Sequence, residues 1–414
     1  MNISAMTLHS IAIADPPLRS SYGLHAPYAL RTVAELTTDD GLTGISETYG
    51  GDGPRAALGA ARERVVGMDP FHLAGLYQTL NQHVAASGDR SQTYLVPGEN
   101  PADQHARTFA AIEFACLDII GKAVGKPVCD VIGGRVRDEV SFSAYLFYKH
   151  AGGGGLGEDR RDDEYGEVLD PNSAVREARQ MIQRYGFREI KLKGGVLPPD
   201  AEILTIQALR EEVGVGRSLK SELSDGGYLE DPCPHLEGMS EVRRRLLSED
   251  NPTPLASNVA VTYFADVPKA RNLDAVEIVL CDPHYWGGMR QVQHLSHMCG
   301  VLGMGLSMHS NSHLGVSLMA MTHVAAACPN LTYACDTHYP WQTATDEIVA
   351  GGRIPIANGC VRIPDKPGLG IELDYDQLAR GRERYAKLPY RKRDDEAEMR
   401  RHVDPNWKRV LPRW

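Results

Sequence analysis

A β/α barrel preceded by an α+β domain is the architecture this sequence predicts, and three observations predict it. From about residue 140 onward, short apolar strands alternate with helical stretches; polar or charged residues close nearly every one of those strands; and the first 135 residues carry a different pattern, a hairpin followed by helices. Strands separated by helices pair in parallel, and so many in succession close into a barrel whose active site lies at the strands' carboxyl ends. A chain of 414 residues has room for such a barrel and a smaller domain beside it.

In the first domain, residues 1–135, "YALRTVAELTTDDGLTGISETYG" holds two β-rich runs joined by Asp39-Asp40-Gly41, a turn in which glycine tolerates the positive φ required. Apolar residues recurring at three and four predict helices at about 53–67, 70–86 and 105–125. The glycine-rich, charged stretch 150–173 is expected to be a mobile loop, because ordering its backbone is costly. Within 136–385 the strands are "SFSAYLFY", "REIKLKGG", "YLEDP", "PLASN", "AVEIVLCDPHYW", "GMGLSMHSNSH" and "LTYACDTH". A helix at 375–387 leads to an irregular tail, 386–414, whose aromatic residues are expected to pack back on the first domain.

One stretch breaks the rhythm. In "EEVGVGRSLKSELSDGGYLEDPCP", residues 211–234, one helix runs into the tail of another with no strand between them. A parallel crossover needs a dozen or more residues, so Val215 to Asp225 cannot hold a further strand and helix.

A net charge of −10, with "YRKR" at 390–393 as the lone basic run, argues against a nucleic-acid partner. Eight cysteines without CxxC pairs fit reduced thiols in a cytoplasmic protein. No basic-then-apolar leader and no run of about 20 apolar residues is present, so neither export nor a membrane span is expected.

The strand ends carry the chemistry. Side chains alternate faces along a strand, so Lys191 and Lys193 share one face and point into the barrel mouth. Burial and mutual repulsion then disfavour the charged form, giving at least one amine that titrates low enough to act as a base; the alternative is a solvated edge strand. Glu230, Asn258 and Asp282 end successive strands, offering oxygen ligands to a hard cation such as Mg²⁺, although each alone also suits a helix cap or a turn. His309 and His313 straddle a strand end, which disfavours a zinc pair; a histidine there, oriented by Asp282, makes a better general base, and His338 ends the next strand. Two bases facing each other across a divalent ion suit proton abstraction beside a carboxylate.

These features resemble the glucarate dehydratases of the enolase superfamily. "LHAPYALR", "RTFAAIEFACLDIIGKAVGKPV", "YGFREIKLKGG", "YLEDP", "CDPHYWGG", "HSNSHLG", "DTHYPWQ" and "KPGLGIELD" carry the similarity over most of the chain. The resemblance implies a modified (β/α)7β barrel, a capping domain made from both termini, and acid sugars as substrates. Carried over by position, Lys193 is the base on one face of the α-carbon and Lys191 holds the substrate carboxylate. His309, paired with Asp282, is the base on the other face and protonates the departing hydroxyl. Glu230 and Asn258 match two of three Mg²⁺ ligands, while His25, Tyr145, Asn311, His338 and Arg393 match substrate contacts.

Two departures stand out. Ser257 replaces the family's Thr before the metal-binding Asn. More seriously, the strand carrying the family's Asp-Pro-Asn motif, with its first metal ligand, is missing from 211–234, so one barrel unit is missing or rebuilt. Asp225 is expected at the barrel's opposite end, and Glu237 is a conceivable substitute ligand. The expectation is therefore an acid-sugar hydro-lyase with Mg²⁺ held weakly or not at all; a non-catalytic acid-sugar-binding protein, an epimerase or altered lyase, and an engineered or erroneous deletion are alternatives. A homo-oligomer acting on a small acid sugar is expected.

Overall fold

The computed structural model describes residues 1–81, 101–212 and 227–410. The first domain forms as its sequence dictates. Strand Ile3–Ala14 pairs antiparallel with Tyr28–Thr38, which pairs antiparallel with Thr43–Tyr49. Gly41 takes φ 88° in the connecting turn, a conformation open to glycine. Helices Asp52–Val65 and Pro101–Val124 cover the sheet, burying Val33, Leu36 and Ile45 against Phe114 and Ile119. Helix Leu73–Asn81 matches the start of the expected 70–86 element, whose remainder lies outside the described residues.

The second domain is built of parallel strands, the central ones buried on both faces. Ile190–Lys193 pairs with Ala144–Phe147; single bridges from Phe142 to Cys335 and from Leu306 to Leu331 insert the 331–336 segment; and Gly305–Met308, Ile278–Cys281, Leu255–Ser257 and Leu229–Glu230 follow in order. All four residues of Ile278–Cys281 are buried, as a strand sandwiched between other strands and helices requires. Among the described residues, Ile190–Lys193 and Leu229–Glu230 are the two edges of this array; between them in sequence lie helix Pro199–Glu212 and residues 213–226, the latter outside the described set. The edges meet through an ion pair between Lys191 and Glu230. The question raised by 211–234 thus falls mainly on residues outside the described set.

Helix Pro171–Tyr185 shows how local signals set the outer layer. Asp170 caps it by accepting from Asn172 N and Ser173 N, proline occupies the first turn, and Ala174, Ala178, Met181 and Tyr185 form its buried stripe. Gly186 ends it at φ 70°, where a β-carbon would also lie 2.8 Å from Asn358 Cα.

Two expectations need correction. The 150–173 stretch is tied down: buried Lys149 ion-pairs with Asp163 at 2.8 Å, and Asp163 accepts from Gly152 N at 2.6 Å and Gly166 N at 2.9 Å. Charged side chains satisfying loop amides offset the entropy that its glycines cost. The tail is not wholly irregular either, since Asp395–His402 is helical with Asp394 as its cap. Helix Tyr375–Lys387 returns to the first sheet, where Arg384 Nε donates to Ala12 O at 3.0 Å, and Trp407 packs with Leu24 and Met399.

Candidate active site

The two lysines are distinct. Lys191 is buried and ion-pairs with both Glu230 and Asp336, and its Nζ lies 5.0 Å from the centre of the Tyr145 ring. Burial alone would depress its pKa, but the charges of Asp336 and then Glu230 outweigh burial and hold the ammonium well above the usual lysine range. Lys191 is therefore not a low-titrating base, which agrees with the carboxylate-holding role the resemblance implies for it and leaves the base's role to Lys193. Lys193, two residues along on the same side, is partly exposed.

Across the strand ends lies an acidic corner. Burial would raise the Glu230 carboxyl, yet the positive charges of Lys191, Lys193 and His309 bring it down to about 2. Asp231 beside it accepts from Ser257 Oγ at 2.5 Å and from Asn258 N at 3.0 Å; burial, then the Glu230 charge, pushes its carboxyl up to about 6. Among the described residues no three Asp, Glu, His or Cys side chains gather as a metal shell. The donor chemistry nevertheless suits a hard cation: Glu230, Asp231 and Asn258 bring two carboxylates and a carboxamide to neighbouring strand ends. Glu237 is exposed in the first turn of helix Leu236–Ser248, which removes it as a substitute ligand. Asp225 lies outside the described residues.

Asp282 and His309 come together less tightly than expected. His309 Nδ1 stands 3.7 Å from Asp282 Oδ2, an ion-pair distance but not a hydrogen bond. The closer partner is His284, whose Nδ1 lies 2.8 Å from Asp282 Oδ1 and whose Nε2 lies 3.0 Å from the Glu47 carbonyl. Burial opposes ionisation of Asp282, but the charge and hydrogen bond of His284, with His309 after them, hold its carboxyl far below the usual range. His313 is not paired with His309 for a metal: its ring nitrogens face the Leu314 carbonyl at 3.0 Å and Thr337 Oγ1 at 3.1 Å.

The remaining expected contacts gather near these strand ends. Asp15 Oδ2 lies 3.1 Å from His25 Nδ1 and accepts from Arg393 Nη1 at 3.1 Å, while Ser312 Oγ donates to the same carboxylate. Tyr145 and His338 pack edge to face with ring centres 5.0 Å apart, and the buried Tyr145 hydroxyl has no hydrogen-bond partner among the described residues. Burial, followed by the positive charges of His25, His313, His309 and Lys193, pulls the His338 pKa well below the histidine range. Asn311 is engaged within the protein, its Nδ2 donating to the Tyr49 hydroxyl at 2.5 Å and the Tyr285 hydroxyl at 3.0 Å.

Sequence reasoning missed Asp336, Asp231, Asp15 and His284. Asp336 and His284 each stand two positions from a residue that was singled out, His338 and Asp282. Asp231 follows Glu230 directly, and Asp15 follows a strand of the first sheet.

Residues 5–133 match the N-terminal domain of the mandelate racemase / muconate lactonizing enzyme family, and residues 219–378 match the enolase C-terminal domain-like family. A protein of Streptomyces coelicolor named as a probable glucarate dehydratase is 42% identical, covering 100% of this chain and 99% of its own, in an alignment of 439 positions. An enolase of Pseudomonas fluorescens Pf0-1, crystallised with magnesium, potassium and tartrate, superposes with a TM-score of 0.89 at 41% identity, covering 100% of this chain and 99% of that one. An enolase of Thermobispora bispora, crystallised with magnesium and formate, gives a TM-score of 0.88 at 42% identity, with 100% of both chains covered.

Proposed function

This chain belongs to the enolase superfamily, a capping domain on a TIM-barrel-like domain, and we propose that it is an acid-sugar dehydratase of the glucarate type. The carrying observation is that Lys193 closes strand Ile190–Lys193 and His309 directly follows strand Gly305–Met308, so that an amine and an imidazole stand at strand ends of one array, with Asp336 and His338 at the end of the segment between them. In this reading Lys193 takes the proton from the carbon beside the substrate carboxylate. His309, backed by Asp282, gives a proton to the hydroxyl leaving the next carbon. One C–H and one C–O bond break, water departs, and the enol product becomes a ketone. Lys191, Tyr145, His338, His25 and Arg393 bind and orient the acid.

Glu230 and Asn258 would hold a Mg²⁺ ion, with Asp231 beside them, as the magnesium-bound neighbours suggest. A bound Mg²⁺ supplies charge stabilisation for the carboxylate as its neighbouring proton is removed. We also infer that one barrel unit is absent between the strands bearing Lys193 and Glu230. The alignment with the Streptomyces protein leaves room for this, being 25 positions longer than the chain, 439 against 414.

The test is incubation with D-glucarate and Mg²⁺, following formation of the 5-dehydro-4-deoxy product. Lys193→Ala is expected to lower turnover by roughly 10³-fold or more. Absence of turnover in the parent, with the variant indistinguishable from it, defeats the reading. The ion pair between Lys191 and Glu230 favours a second reading, an acid-binding protein without turnover. Calorimetric binding of glucarate that is indifferent to chelator would support it.

A further inference from the structure

We propose that Tyr49, a capping-domain residue, is a positioning residue for Asp282 and His309, so that seating of the cap on the barrel sets the orientation of the imidazole. The proposal rests on the dehydratase reading for its kinetic consequence, but not for its geometry. Asp282 Oδ1 is occupied by His284, through its backbone N at 2.9 Å and its Nδ1 at 2.8 Å. Oδ2 is the oxygen left to face His309, and it is shared: the Tyr49 hydroxyl donates to it at 3.2 Å, while His309 Nδ1 stands 3.7 Å away.

Tyr49 is itself fixed. It ends strand Thr43–Tyr49, its ring stacks on Tyr285 with centres 5.2 Å apart, and the guanidinium carbons of Arg31 and Arg107 lie 5.0 Å and 4.8 Å from its centre. Its hydroxyl accepts from Asn311 Nδ2 at 2.5 Å, which aims its own proton at Asp282. Burial, then the Asp282 charge, keeps that hydroxyl protonated and therefore a donor. Two residues earlier, Glu47 accepts from the backbone nitrogens of Leu314 and Ser317, at 3.0 Å each. One cap strand thus grips both the Asp282 carboxylate and the chain that follows His309.

Around this point stand Glu47 and Arg31 from the first sheet, Arg107 from helix Pro101–Val124, and His284 and Tyr285 after strand Ile278–Cys281. His313 and Asn311 complete the set from the chain after Gly305–Met308. Replacing the hydroxyl alone, with Tyr49→Phe, keeps the ring packing. Removing a competing donor leaves Oδ2 to His309 alone, so the imidazole is expected to turn toward it and its Nδ1 resonance to move.

The experiment compares the imidazole nitrogen resonances of histidine-labelled, ligand-free parent and Tyr49→Phe protein at one pH, with thermal melts to verify folding and steady-state kinetics on glucarate. Expected are a changed His309 Nδ1 resonance and a melting temperature within a few degrees of the parent. Expected too is a roughly tenfold fall in kcat with KM changed less than about twofold. An unchanged His309 resonance overturns the proposal, as does a KM increase that accounts for the whole loss in kcat/KM. If the parent shows no turnover, the dehydratase reading fails, and the ligand-free spectra still decide the role of Tyr49.

Discussion

At position 191 one ammonium serves two buried carboxylates, Glu230 and Asp336, which the chain brings from two different strand ends. Such a triad is costly to leave incomplete, because each unpaired charge keeps its desolvation penalty. Lys191→Met is therefore expected to destabilise the protein by about 3–5 kcal/mol at pH 8, read as a lowered denaturant midpoint. The loss should be smaller at pH 5, since burial and the Glu230 charge already raise the Asp336 carboxyl, so it takes up a proton first. The period-two pattern of "IKLK" correctly predicted that both lysines share one side. It was silent on which would be locked, because Asp336 lies 145 positions away and its choice of partner depends on tertiary packing.

Among the elements, helix Gly315–Ala326 is the extreme case, with all twelve residues buried and no side-chain cap from its own N-terminal residues. Glu47 supplies that cap from the other domain, held ionised against its burial by Arg31, His313 and the amides it accepts from. Glu113 stands at the start of helix Met289–Leu302, its carboxyl so close to Gly288 that a β-carbon there would lie 1.9 Å from Oε2. Glu47→Gln would strand the buried Arg31 guanidinium, whose Nε donates to Glu47 at 2.8 Å, and is expected to cost about 3 kcal/mol in a thermal or denaturant melt. Much of the strand and helix pattern was legible from periodicity, down to the ends of Tyr375–Lys387, but strand Ile3–Ala14 was not foreseen and "LTYACDTH" makes single bridges at Leu331 and Cys335 in place of a full strand. Capping from another domain was not, since neither helix start shows Ser, Thr, Asp or Asn at its cap position, where Gly288 and Leu314 stand instead. Charge and glycine content misjudged the 150–173 segment for a related reason: its acids bind loop amides instead of water.

For the whole molecule, buried acids set the pH response. Glu113 is pushed up to about 7 by burial, against about 4.3 unfolded. Between those values the folded state alone holds its proton, so stability rises as pH falls through that window, and above 7 the carboxylate is a net cost. Glu113→Gln should flatten this slope and raise stability at pH 8 by ~2 kcal/mol, measured as melting temperature against pH. In the opposite sense, His25 and Arg393 overcome burial to hold the Asp15 carboxyl low. That contribution is present above the unfolded value near 3.9 and is lost as pH falls through the folded one. The stability maximum is accordingly expected in mildly acidic solution.

The two carboxylates that finish barrel helices from across the domain boundary also limit how this architecture can be recombined. A chimera that transplants a lid from a relative would keep its substrate loops, yet would leave two buried helix starts without a facing carboxyl unless acids stood where Glu47 and Glu113 do. Modular exchange of specificity in this chain thus carries a structural dowry of two acids that never touch the ligand.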